Sequence, residues 1–212
     1  LVHLKDISAK KGPIKYDEVE LKKREVAFGY TKEDLNTIIR PMAQLGKEPI
    51  GSMGSDTPIA VLSERPQLIY NYFKQIFAQV TNPPLDGIRE ELITDISLTL
   101  GSDTNIFDVS SEACKKLKIQ NPVISKHDLD KIRNYDTNPN FKVESISMLY
   151  EVSRGLNELE SALEALVNKA SKAIDKGANI IILSDRFVDE NHAPIPALLA
   201  CSYVNHALHK LN

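Results

Sequence analysis

Cysteine is scarce in this chain: Cys114 and Cys201 are the two in 212 residues. Two isolated thiols cannot complete a zinc or iron–sulfur ligand set. They make no disulfide framework either, and a reducing compartment is expected. Long apolar runs are missing too. The stretch Ile180-Ile181-Ile182-Leu183 is far too short to span a bilayer. No charged segment followed by an apolar one opens the chain, so no signal peptide is expected. Neither sign of charge dominates, with 26 basic and 29 acidic residues and a formal net charge of −3. That leaves no footprint for nucleic acid and no polybasic face for a membrane. Internal repeats and low-complexity segments are absent. What remains is globular: 42% hydrophobic and 26% charged residues, and a mass of 23.7 kDa. This is ordinary usage, and enough chain for one large domain or two small ones. The chain opens on Leu1 and closes on Asn212 directly after an expected helix. It therefore reads as a piece of a longer protein.

Residues 1–17 hold few apolar positions and include Gly12-Pro13, which reads as an extended lead. A helix is expected from Glu18, ended by Gly29. Thr31 and Asp34 resemble a capping box, with Asp in place of Glu or Gln. Leu35, Ile38, Ile39, Met42 and Leu45 continue at helical spacing, with Pro41 breaking or kinking the helix and Gly46 ending it. Residues 46–58 read as a loop and 59–62 as a short strand. An amphipathic helix is expected over 68–80, stopped by Asn82-Pro83-Pro84. Asp86 caps a short helix over 88–92, and 96–100 alternates like a strand ended by Gly101. Short helices are expected over 110–117 and 125–134, with a brief strand at 122–124. Residues 141–149 read as a strand with both faces partly covered. A long helix over 156–176 ends at Gly177, a buried strand covers 179–183, and a last helix covers 194–208. That order is a βαβα unit, which implies a right-handed crossover and a parallel sheet. Folds of this kind place functional groups beyond the strand C-termini.

Candidate chemistry is sparse. Gly51, Ser52, Met53, Gly54, Ser55 and Asp56 form a loop whose amides and hydroxyls can face an anion. It is neither a Walker A loop nor a G-x-G-x-x-G fingerprint, and a tight loop satisfying its own backbone explains it better. Asp185 and Arg186 follow the buried strand, where barrel enzymes place catalytic groups, or they pair with each other or with a neighbouring loop as a structural ion pair. Arg89 belongs to a charge cluster opening a short helix. His206 and His209 stand three apart on the last helix without a third ligand. Cys114 has no local base beside it, and Cys201, among Leu198, Leu199 and Tyr203, reads as a buried small apolar group. No catalytic array and no metal site is expected.

Longer segments carry a resemblance. FGYTKEDLN (28–36), PMAQLGKEPIGSMGSDTPIAVLS (41–63), PQLIYNYFKQIFAQVTNPPLDGIREEL (66–92) and ILSDRFVDENHAPIPALLA (182–200) resemble the central domain of glutamate synthase. The likeness covers about residues 24–209. It implies that residues 1–23 are the end of the linker after an amidotransferase region and that 24–212 are the central domain, truncated at its C-terminus. The implied fold is α/β, an incomplete and rudimentary (β/α) barrel-like domain related to the FMN-binding barrel, with a helical N-terminal part.

The family makes glutamate from glutamine and 2-oxoglutarate. A glutaminase domain releases ammonia, a tunnel carries it, and an FMN-bearing domain reduces the 2-iminoglutarate that forms. An iron–sulfur cluster relays electrons from ferredoxin or a pyridine-nucleotide-dependent small subunit. The resemblance implies that this chain holds no catalytic nucleophile, FMN or iron–sulfur cluster of its own. Its partners are then the glutaminase and FMN-binding domains of the same polypeptide, in the cytoplasm or a plastid. Thr81 and Asn82, ahead of Pro83-Pro84, match the family's ammonia-tunnel constriction. The Gly51–Asp56 loop residues, Arg89, Asp185 and Arg186 are expected at interdomain or loop contacts. The alternative is an autonomous barrel-like enzyme or phosphate-binding module using that loop and Asp185.

Overall fold

A computed structural model of the chain describes residues 1–8, 16–46, 64, 69–73, 84–105, 107, 109–135, 140–155 and 157–211. In chain order the elements are β1 (Val2–His3), α1 (Glu18–Ala27), α2 (Arg40–Leu45), α3 (Gly87–Ile93), β2 (Leu98–Leu100), β3 (Leu117–Ile119) and α4 (Lys126–Arg133). They continue with β4 (Val143–Ser147), β5 (Leu149–Glu151), α5 (Asn157–Asp175), β6 (Ile180–Ser184), β7 (His192–Pro194) and α6 (Ala197–Leu211). Two compact units result: Lys15–Ile93 is one, and Leu1–Ile14 with Thr94–Asn212 is the other.

In the Lys15–Ile93 unit, local polar chemistry sets the helix boundaries. The Asp17 carboxylate caps α1 by accepting from the Glu20 amide at 2.8 Å. The expected capping box is present. The Thr31 amide and hydroxyl donate to Asp34 at 2.9 and 2.6 Å, and the Asp34 amide donates back to Thr31 Oγ1 at 3.1 Å. These bonds hold the Asp34 carboxyl below its ordinary range. Pro41 kinks the helix rather than ending it. The turn ahead of it, Asp34–Ile39, widens to π geometry, with the Arg40 amide bonding back to the Leu35 carbonyl. Widening there separates the proline ring from the carbonyl it would strike in an α-helix. Asp86 caps α3 through the Arg89 amide, as expected. None of these helices has a buried residue among those described. Of the expected 68–80 helix, Ile69–Tyr72 form a 3-10 turn, and 74–80 lie outside the described residues, as does the expected 59–62 strand.

The larger unit is built on the expected βαβα order. β4 and β6 pair in parallel, Val143 with Ile180 through Ser147 with Ser184. Asn179 fixes the start of that register: its side chain accepts from the Lys142 amide at 2.9 Å and donates to the Asn140 carbonyl at 2.6 Å. One face of the pair carries Ile146, Ile181 and Leu183 against Leu163, Leu166, Val167 and Ala170 of α5 and Ala200 and Val204 of α6. The other carries Val143, Ile180 and Ile182 against a second core of Leu4, Ile7, Leu117, Ile119, Ile132 and Phe141. That second core underlies a three-stranded sheet ordered β1-β3-β2, with β1 parallel and β2 antiparallel to β3. β5 and β7 form a separate antiparallel pair. The chain is thus α/β, with no closed barrel among the described strands. Gly177 ends α5 at φ +89°, its amide reaching the Ile174 carbonyl while Ala178 reaches Ala173.

Five expectations change. Residues 1–8 are not a free extended lead: Val2–His3 pair in parallel with β3, and Leu4 and Ile7 are buried in the second core. Residues 110–117 are not an α-helix: Ser111–Cys114 make one 3-10 turn, and Leu117 already belongs to β3. Leu117–Ile119 is strand because β1 and β2 flank it and its alternate residues are buried. Residues 122 and 123 are bends and 124 is irregular, rather than a strand. Pro122 has no N–H to give a ladder. Residues 141–149 split into β4 and β5 at Met148, whose amide and carbonyl bond Ser184 and Ile195. Cys201 is exposed, because the buried stripe of α6 runs through Ala200 and Val204.

Candidate functional site

The C-terminal ends of β4 and β6 bring Ser147 and Ser184 side by side in register. The strands deliver the chain here with their carbonyl ends foremost, and the loop after β6 supplies Asp185 and Arg186. These two do not pair with each other among the described contacts. The Arg186 guanidinium instead reaches Asp130 Oδ1 on α4 at 3.5 Å, and its amide donates to Ser184 Oγ at 3.4 Å. Asp130 is the one charged or polar residue among those described that is buried. The same Oδ1 accepts from Arg133 Nη1 at 2.8 Å. Arg133 Nε in turn donates to Ser145 Oγ on β4 at 3.3 Å. Two guanidinium groups therefore share one carboxylate. The sequence allowed an ion pair with Asp185 or with a neighbouring loop; the one present joins Arg186 to helix α4, with a partner 56 residues away.

The loop then turns through Phe187, a non-glycine residue at φ +72°. Beyond it, Asp189 accepts from the Asn191 and His192 amides and pairs with the His192 ring, all at 2.8 Å. The bond from the His192 ring, then the Asn191 amide, hold the Asp189 carboxyl below its usual value. Separately, an open groove of about 430 Å³ runs between β2, α4 and β6. It is walled by Leu98, Leu100, Ile119, Ile132, Ile180 and Ile182.

Arg89 forms an ion pair with Asp86, the cap of its own helix, and is exposed. Gly51, Ser52, Met53, Gly54, Ser55, Asp56, Thr81 and Asn82 lie outside the described residues. Tyr70, Tyr72 and Phe73 are exposed. His206 and His209 are exposed on α6. No group of three or more His, Cys, Asp or Glu among the described residues is placed to hold a metal ion. No helix among them is long and apolar enough to cross a membrane. Sequence reasoning missed Asp130 and Arg133. Their signal was weak: a carboxylate between Leu129 and Ile132 on the core-facing side of a short helix.

A family profile described as the glutamate synthase central domain matches residues 23–212. The chain is 42% identical over 189 residues to "Ferredoxin-dependent glutamate synthase 2" of Synechocystis sp., covering 87% of this chain and 12% of that protein. It is 41% identical over 191 residues to "Glutamate synthase [NADPH] large chain" of Bacillus subtilis, covering 90% and 12%. It is 39% identical over 187 residues to "Glutamate synthase [NADH]" of Schizosaccharomyces pombe, covering 88% and 9%. The chain thus spans roughly a tenth of the length of these relatives. Matched over most of its length by that profile and by these enzymes, this chain belongs to the glutamate synthase central domain family.

Proposed function

We propose that the chain is the connecting domain of a glutamate synthase polypeptide. It joins a glutaminase domain to an FMN-bearing synthase domain and contributes Thr81 and Asn82 to the ammonia tunnel between them. The observation that carries this reading is the match over 23–212 to the family's central domain, in relatives of which it forms about a tenth. The exposed faces support it. Val19, Leu21, Val26, Met42, Leu45, Ile88, Leu92 and Phe73 are large apolar residues left open to solvent. Surfaces of that kind are expected where neighbouring domains pack. Residues 1–23 are then the end of the preceding amidotransferase region, with Val2–His3 and Leu4 and Ile7 packed onto the sheet and second core, and 24–212 the central domain. Two successive β/α units, β4-α5 and β6-α6, support kinship with a (β/α) barrel. FMN and an iron–sulfur cluster belong to other parts of the polypeptide in this reading. Electrons come from ferredoxin or a pyridine-nucleotide-dependent partner, the two kinds named among the relatives.

The tunnel role is what the resemblance to the family implies for Thr81 and Asn82, and the sequence is compatible with it. A proline at 83 disfavours helical φ/ψ at the residue before it, as expected where a helix ends. Threonine and asparagine carry groups that can pass a hydrogen-bonding neutral molecule such as ammonia. The loop of Gly51, Ser52, Met53, Gly54, Ser55 and Asp56, together with Arg89, Asp185 and Arg186, serves interdomain contacts. The test uses the full-length enzyme. Thr81→Trp and Asn82→Trp are expected to leave glutamine binding intact and to uncouple the reactions, so that free ammonia accumulates. Lys210→Gln, on exposed α6, changes nothing. Strict one-to-one coupling at normal rate in both tryptophan variants refutes the tunnel assignment.

A further inference from the structure

We infer that Arg133 and Arg186, bridged by Asp130, form a binding site for an oxyanion of the carboxylate or phosphate type at the C-terminal end of the β4–β6 pair. The inference does not depend on the tunnel reading. Its first ground is charge. Two guanidinium groups share one carboxylate oxygen, at 2.8 and 3.5 Å. Among the described residues Asp130 is the one carboxylate paired with either, so the cluster keeps one net positive charge. The 3.5 Å contact is long for a charge-assisted hydrogen bond, which settles near 2.7–2.9 Å. Asp130 therefore satisfies Arg133 and only steadies Arg186, leaving the fork of Arg186 with open donors.

The second ground is geometry. The arginine side chains are 20% and 22% exposed, enough to meet solvent. Arg133 is tied to Ser145 on β4, and the Arg186 backbone is tied to Ser184 on β6. A planar guanidinium fork matches the paired oxygens of a carboxylate or phosphate, which a lysine ammonium does not; Arg133 is held by Asp130 and Ser145, and the Arg186 fork remains free to close on the ligand. The serine hydroxyls of residues 145, 147 and 184 add neutral donors along the same strand ends. The third ground is the backbone. Phe187, directly after Arg186, holds φ +72° while its ring stays 78% exposed. A left-handed aromatic residue is an outlier, and the ring gains no core contact in return. The turn it makes with Arg186 carries the chain away from the end of β6.

The test is a titration of the 212-residue chain with inorganic phosphate and, separately, sodium acetate at constant ionic strength. The Nε–Hε resonances of Arg133 and Arg186 are followed by NMR. Saturable shifts at both resonances are expected with at least one anion, and the anion that acts identifies the class as phosphate, carboxylate or both. Arg186→Gln raises the midpoint about tenfold or more, equivalent to the loss of about 1.4 kcal/mol. Arg186→Lys, which keeps the charge and loses the fork, falls between. Circular dichroism checks that each variant stays folded, and Arg186→Lys remains informative if Arg186→Gln does not. Shifts that stay linear with concentration, or an Arg186→Lys midpoint equal to that of the unaltered chain, overturn the site. In that case the three residues are an ion-paired clasp between α4 and the loop after β6.

Discussion

Replacing Leu166 by alanine tests whether α5 and the β4–β6 pair share one cooperative core. Leu166 is 1% exposed and packs with Ile146, Met148, Leu163 and Val167 on one face of the strands. Truncation removes about three methylene equivalents, worth about 2.4 kcal/mol in transfer free energy. The cavity left behind adds to this, and buried leucines cost about 2.7–5 kcal/mol on truncation. The expected loss is about 3 kcal/mol. With a urea slope of about 2 kcal/mol per M, the unfolding midpoint falls by about 1.5 M at unchanged slope. The chain has no tryptophan, so far-UV circular dichroism is the probe. Native-state hydrogen exchange at the Val167 and Ala170 amides assigns the loss to α5. Leu21→Ala is the contrast. Leu21 is 46% exposed on α1 in the other unit, and its truncation costs under about 1 kcal/mol. A midpoint shift below about 0.5 M for Leu166→Ala, or equal shifts for the two variants, refutes the packing described for α5.

Acid should loosen α4 from its N-terminus. Lys131, then the Ser125 hydroxyl, donate to the Asp128 carboxylate and hold its pKa below the ordinary 3.8. A carboxyl lowered in the folded state adds stability above its unfolded value and loses it as pH falls from 3.8 through the folded value. Protection of the α4 amides, corrected for the intrinsic pH dependence of exchange, should therefore fall in that window and lose that fall in Asp128→Asn; an unchanged acid dependence of protection in that variant counts against the assignment. Ser125→Ala removes the cap of the same helix at a cost of about 1 kcal/mol, read from the same amides. Both cysteines are exposed, so a thiol reagent should modify two equivalents in the native chain. A second equivalent that appears only in denaturant contradicts the placement of α6.

The βαβα framework was legible because its signals are local and periodic. Leu159, Leu163, Leu166, Val167 and Ala170 repeat at helical spacing, and Gly177 stops the helix in the conformation glycine tolerates. Errors arose where a partner decides the outcome. Ser-Glu-Ala-Cys-Lys-Lys is compatible with helix by propensity, yet Leu117 and Ile119 alternate inward because β1 and β2 lie on either side. Cys201 sits among leucines in sequence, but one residue is a 100° rotation on a helix. The stripe through Ala200, Val204 and Ala207 therefore leaves it outside. The cluster at the strand ends was half legible. Asp185 and Arg186 were marked by their place after a buried strand, whereas Asp130 lies 56 residues from Arg186 and no spacing rule links them. What joins them is topology. α4 packs against the face of the parallel pair that carries Val143, Ile180 and Ile182, which brings its last turn to the strand C-termini. A charged residue on the buried side of a short helix is the local trace of such an arrangement. Carboxylates are seldom left inside without a partner, so Asp130 between Leu129 and Ile132 requires a cation, which Arg133 supplies from the same helix and Arg186 adds to from elsewhere in the fold. The two arginines meet that requirement with one positive charge left over, the property on which the proposed oxyanion site depends.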